Sequence, residues 1–290
     1  MKLKTLYTAS ALLLVSGAAS ADPISISTPF GATSFFNALG ATNLPVTSTY
    51  VNDGTISMGS EASDLVGASL AFTDMGVGTI GQLSPLLGTG TTASYGNDWV
   101  LDFTYTLTGV AEFIDGGAVG GLITDNTLDV DGNGVIDFVD AISPTYTGGT
   151  FEFFYRNVTT ANTTKVLELD LNNFDVNGPN VVFNSVVNYD WYTAGSDALV
   201  ENLFIDDSGY TFYELATAGG TITEAQDISF RTDFNIDPNL LPTCDDATCD
   251  TISRTTDINL SGVFAVPEPT SIAILGLGLL GLGLRRKTKA

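Results

Sequence analysis

Apolar and polar positions alternate in short runs along most of the chain. In Trp99-Val-Leu-Asp-Phe-Thr-Tyr-Thr-Leu107 the alternation puts Trp99, Leu101, Phe103, Tyr105 and Leu107 on one face of an extended segment. Thr150–Tyr155 is aromatic and strand-like, and Lys165–Leu171 turns Leu167, Leu169 and Leu171 one way. Val181–Val187 is β-branched, and Tyr210–Tyr213, Asp227–Arg231 and Asn259–Phe264 continue the series. The runs stop at Gly, Asn, Asp or Pro, the residues that punctuate strands. Gly76-Val-Gly78, Gly88-Thr-Gly-Thr-Thr92 and Gly117–Gly121 read as loops, and Ser60–Leu70 as a short helix. No repeat of fixed period runs through the sequence. The pattern predicts an all-β fold class: an antiparallel sandwich or jelly-roll-like body whose aromatic faces form the core.

The two ends break the pattern. Lys2 and Lys4 precede an apolar or small stretch from Leu6 to Gly17, and Ala19-Ser20-Ala21 then places small residues before Asp22-Pro23. This is the layout of a secretory signal helix over residues 1–21, cut by signal peptidase after Ala21. The run is too short to span a bilayer, which takes roughly 20 apolar residues. At the other end, Val266-Pro267-Glu268-Pro269-Thr270 leads into an apolar stretch from Ile272 to Leu284, and Arg285, Arg286, Lys287 and Lys289 follow. The basic cluster stays cytoplasmic under the positive-inside rule, so the body faces outward. Gly276, Gly278, Gly281 and Gly283 dilute a segment already short for a permanent span. It predicts a short apolar helix in transient contact with the inner membrane. The chain thus divides into a signal peptide (1–21), a β-rich body (22–265) and a tail (266–290).

With the end signals set aside, the body keeps four cations, Arg156, Lys165, Arg231 and Arg254, against 32 carboxylates, a formal charge near −28. A nucleic-acid partner is excluded, because phosphate binding depends on Lys and Arg. Carboxylate repulsion opposes compaction, and bound divalent cations would relieve it. There is no histidine, which removes Ser-His-Asp and Cys-His catalysis and His-based zinc sites. Four residues separate Cys244 from Cys249 in an acidic, turn-rich stretch, and in an exported chain a local disulfide is expected.

One segment carries ligand chemistry. In Asp129-Val-Asp-Gly-Asn-Gly-Val-Ile-Asp-Phe-Val-Asp140, Asp129, Asp131 and Asn133 fill positions 1, 3 and 5 of a 12-residue calcium loop. Gly134 makes the sharp turn, Val135 offers its carbonyl, and Asp137 and Asp140 take positions 9 and 12. The loop resembles those of EF-hands and, with Asp at position 12, of dockerins. The flanks do not supply two helices and there is no second copy. A single structural calcium, weakly bound, set between strands, is expected; the bland alternative is an acidic turn.

The tail is specific. Pro267-Glu268-Pro269, the Gly/Leu segment and Arg285-Arg286 resemble the PEP-CTERM sorting signal of Gram-negative bacteria. The resemblance covers about the last 25 residues. It implies an exosortase partner in the inner membrane and residence at the cell surface, outer membrane or extracellular matrix. It also implies an association with exopolysaccharide. The acidic body and Val166-Leu-Glu-Leu-Asp-Leu171 loosely resemble floc-associated proteins of that group. The expectation is a non-enzymatic surface or matrix protein of biofilm or floc. The alternatives are a calcium-stabilised carbohydrate-binding module using Trp191-Tyr192, and a hydrolase using two carboxylates, for which no motif singles out a pair.

Overall fold

The computed structural model describes residues 22–52, 54, 68–86, 91–114, 122–123, 141–177, 180–236, 243–245 and 248–266. Eight long strands carry the architecture: β3 (Phe36–Val51), β4 (Ser69–Thr79), β6 (Trp99–Ile114), β8 (Ala141–Asn157), β9 (Thr163–Asn177), β10 (Asn180–Asn188), β12 (Ser229–Ile236) and β14 (Thr251–Ala265). Each pairs antiparallel with the next in this order, and β14 pairs back onto β3 from Thr251↔Val51 to Gly262↔Leu39. The sheet therefore closes into an eight-stranded up-and-down barrel, which corrects the sandwich or jelly roll expected from the sequence. An inward-outward alternation looks the same whether a sheet packs on a second sheet or curls onto itself. Only the β3–β14 pairing decides, and it joins positions some 200 residues apart.

Short strands decorate this frame: β1 (Ile24–Thr28), β2 (Gly31–Ala32), β5 (Gln82–Leu86), β7 (Leu122–Ile123), β11 (Phe204–Asp206) and β13 (Thr243–Cys244). The inward rows are apolar and large. Trp99, Leu101, Phe103, Tyr105 and Leu107 all point inward as the alternation requires, as do Leu167 and Leu169. Phe183 meets Tyr146, Phe151 and Phe234 at centroid distances of 4.8, 5.9 and 5.1 Å. Fully burying each such ring contributes roughly 1.5–3 kcal/mol. The outward rows of β6 and β14 are polar, with Thr104, Thr106 and Thr108 on the one and Ser253, Thr255, Asp257, Asn259 and Ser261 on the other, while Val51 on β3 and Met75 and Val77 on β4 are exposed apolar residues. This apolar-in, polar-out order is the reverse of a lipid-spanning barrel. No helix among the described residues is long and apolar enough to cross a membrane.

Two local expectations change. Gly76-Val-Gly78 lies inside β4. A Cβ at Gly76 would collide with the Tyr105 ring, and one at Gly78 with Leu44 and Phe103. The glycines make room for neighbouring side chains across the strand, which is why they interrupt the pattern without breaking the strand. Tyr210–Tyr213, expected extended, instead opens α2 (Phe212–Thr217). Thr211 caps it, and Glu214 closes a capping box from three residues on. With α1 (Ala198–Asn202) and β11, α2 forms the long β10–β12 connection. That connection seats Phe204 and Phe212 on Phe264. Of Ser60–Leu70, Ser69 and Leu70 belong to β4; residues 60–67 lie outside the described residues.

The barrel has two unlike ends. At one end lie the β10–β12 connection and both ends of the described chain. Asp22 N–H donates to the Phe264 carbonyl at 3.0 Å, and Val266 N–H donates to Asp22 Oδ2 at 2.7 Å. At the other end the chain leaves β6 at Ile114, returns at Ala141, and passes through the Cys244–Cys249 turn between β12 and β14.

Candidate functional site

Four regions hold chemistry. The first is inside the barrel. Asp74 on β4, Tyr146 on β8, Ser48 and Tyr50 on β3, and Arg254 on β14 all take inward positions and are buried. Tyr146 donates to Asp74 Oδ2 at 2.7 Å, while Asp74 Oδ1 has no hydrogen-bond partner. Arg254 Nε donates to Ser48 Oγ at 3.4 Å. Burial pushes the Asp74 carboxyl above the usual carboxylate range, with the Ser48 hydroxyl and the Arg254 charge pulling against it. Burial and the Asp74 charge likewise push the Tyr146 and Tyr105 hydroxyls well up. Burial opposes the charge on Arg254, yet Tyr50, Asp74 and Tyr146 together hold its pKa above the ordinary arginine value. Beside this cluster is a cavity of about 10 Å³, the room of one water and far below a ligand chamber of roughly 300 Å³ or more. Among the described residues the interior is a packed core with a polar knot. Arg254 escaped the sequence reading because arginine in an alternating strand is ordinarily assigned to the solvent row. The signal was its phase, since Ile252, Arg254, Thr256 and Ile258 share one face.

The second region is the outer wall. Arg156 grips Asp102 with two nitrogens, Nε–Oδ2 at 2.5 Å and Nη2–Oδ1 at 3.1 Å, and Thr79 donates to Oδ1 at 2.5 Å. Burial works to raise the Asp102 pKa, but these donors outweigh it and hold it below the ordinary value. Lys165 sits between Glu152 and Glu168.

The third is Trp191-Tyr192. Trp191 is half-buried, with the Lys165 ammonium 4.6 Å above its ring and Tyr189 stacked at 6.4 Å. Its indole N–H donates to the Asn188 carbonyl at 3.0 Å. Tyr192 and Tyr189 pack edge-on to Tyr213. Tyr189 belongs to the main core, Trp191, Tyr192 and Tyr213 pack partly buried against it, and Lys165 sits over one face of the Trp191 ring.

The fourth is a surface groove of about 560 Å³, where β3 bulges beside β14. Gln82, Thr42, Asp233, Asn259 and Ser261 line it over a floor that includes Gly40 and Gly81. Asn259 Oδ1 accepts from the Asn43 N–H at 3.2 Å, which holds the bulge. The wall offers amides, hydroxyls and one carboxylate, which together can both donate and accept hydrogen bonds, beside the apolar Ala41 and Leu260.

Cys244 and Cys249 form a disulfide with Cα atoms 4.8 Å apart. Asn52, just past β3, donates through Nδ2 to the Cys249 carbonyl at 2.6 Å and so moors this turn to the barrel. The calcium-type residues Asp129, Asp131, Asn133, Val135, Asp137 and Asp140 lie outside the described residues. So do Pro267, Glu268 and Pro269, the basic cluster Arg285, Arg286 and Lys287, and the leader. Among the described residues no three His, Cys, Asp or Glu side chains gather as a metal site.

No curated protein and no solved structure matched the chain. Residues 265–287, starting on the last residue of β14, match the PEP-CTERM protein-sorting motif, and this chain is accordingly an exported, cell-surface-associated protein directed to an exosortase.

Proposed function

We propose that the protein is a non-enzymatic component of the cell surface or extracellular matrix, sorted through its tail and associated with exopolysaccharide in biofilm or floc. One observation carries this proposal: the sorting motif begins where the closing strand of the barrel ends, so the cargo of the export route is the whole barrel. The polar outer rows and the acidic body suit a hydrated matrix. The carboxyl groups pushed above their ordinary values among the described residues are Asp74, inside the barrel, and Asp206, the last residue of β11. The test is a deletion strain complemented with the full gene or with a copy lacking residues 266–290. Lost aggregation restored only by the full copy supports the proposal, and normal aggregation and matrix in the deletion strain sink it.

A second reading, a carbohydrate-binding module, is favoured by the polar groove at Gln82 and Asp233 rather than by Trp191. Affinity electrophoresis through host exopolysaccharide, with Asp233→Ala and Gln82→Ala, tests it; equal retardation of wild type and variants counts against it. Calcium belongs to either reading. Titration of Ca²⁺ into the mature protein should give a dissociation constant of about 10⁻⁴–10⁻³ M, abolished by Asp129→Ala/Asp131→Ala. No heat of binding would leave 129–140 an acidic turn.

A further inference from the structure

The reciprocal contact between Asp22 and the end of β14 sits at a chemically special place. Val266 is the last residue before Pro267, and proline has no N–H. The Val266 N–H is therefore the last backbone donor available before the Pro-Glu-Pro motif, and the Asp22 carboxylate takes it at 2.7 Å from 244 positions away. In the same contact the nitrogen of Asp22 donates to the Phe264 carbonyl at 3.0 Å. Phe264 is in turn paired to Phe230 and packed on Phe204 and Phe212, so the contact rests on a rigid base. Removal of the leader after Ala21 turns the Asp22 nitrogen into an ammonium at the same spot, and its bond to the carbonyl becomes charge-assisted.

We propose that Asp22 is a positioning residue for tail processing: it latches the residue before Pro267 to the barrel and limits how far the chain opens toward the exosortase. A processing enzyme acts on a chain segment released from its fold, and when opening and closing are fast the rate follows the open population. An enzyme that grips the chain across Pro267 must take hold of Val266 on its upstream side, and Val266 has first to leave Asp22. Leader removal strengthens the nitrogen's half of the contact and the carboxylate holds the other half, so processing at the two ends is coupled through one residue.

The experiment uses the full chain with its own leader, as wild type, Asp22→Ala and Asp22→Asn. Mass spectrometry of each N-terminus checks that the leader has been removed. Hydrogen exchange at Val266 is measured on tail-bearing protein from a strain without exosortase, and the rate of tail removal by pulse-chase in a strain with it. Losing a hydrogen bond to a charged group should speed Val266 exchange about tenfold in Asp22→Ala. Tail removal should quicken in parallel. Asp22→Asn keeps an acceptor oxygen and should stay near wild type in both. Unchanged Val266 exchange in Asp22→Ala overturns the latch, and faster exchange with unaltered tail removal overturns its role in processing. If the wild-type tail is not removed at all, the exosortase assignment fails by itself, and Val266 exchange still decides the latch.

Discussion

Two arginine–aspartate encounters lie on opposite sides of one barrel wall. Outside, Arg156 and Asp102 meet directly, nitrogen to oxygen, and both side chains are partly exposed. Inside, Arg254 and Asp74 are both buried; Ser48 receives the guanidinium, Tyr146 serves the carboxylate, and one carboxylate oxygen is left without a partner. The outer pair has ideal geometry and small consequences, because water would serve either partner nearly as well. The inner pair has poor geometry and large consequences, because removing one charge strands the other where nothing replaces it.

The comparison can be broken at several strengths. Arg254→Met should cost about 3–5 kcal/mol in urea unfolding, and adding Asp74→Leu should return most of that loss. Additive losses in the double variant would mean that the two groups do not compensate each other. Tyr146→Phe removes the one donor that Asp74 holds at good geometry and should cost about 1–3 kcal/mol by the same assay. The two aspartates should also respond to pH in opposite directions. The Asp74 pKa is raised by folding, so the folded state holds its proton longer; its contribution is favourable at acid pH and is lost as pH rises through the folded value. The Asp102 pKa is lowered, so its contribution is present above the unfolded value and is lost as pH falls toward the folded one. Wild-type stability measured against Asp74→Asn should therefore fall as pH rises above about 4, and against Asp102→Asn it should rise with pH, mostly below about pH 4, where the unfolded carboxyl is still protonated. Slopes of the same sign would refute the assignment. Smallest of all, Arg156→Met should change stability by less than about 1 kcal/mol, an effect fading further in salt.

The contrast also explains what the sequence could and could not disclose. Strand class and the inward faces were legible because alternation is local: Trp99 to Leu107 declares its own orientation. Barrel closure was hidden because it rests on β14 finding β3 across most of the chain. Gly76 and Gly78 misled because the reason for them, the rings of Tyr105 and Phe103, lies on another strand. The Thr211–Glu214 capping box was legible in principle, but the aromatic run beside it argued for a strand. At the sites the same rule holds. The sorting tail is contiguous and could be seen at once, whereas the Asp74–Arg254 knot and the Asp22–Val266 latch join residues that only the fold brings together.

The direction of β14 fixes a posture. It starts at Thr251, beside the disulfide turn, and ends at Ala265, where the sorting motif takes over. Fourteen steps of about 3.3 Å, tilted as barrel strands are, amount to roughly 35 Å along the axis. The rim where the chain departs at Ile114 and comes back at Ala141 therefore stands that far along the barrel from the residue where the sorting motif begins, so anything that rim engages is met a full barrel length away from the tail's point of departure.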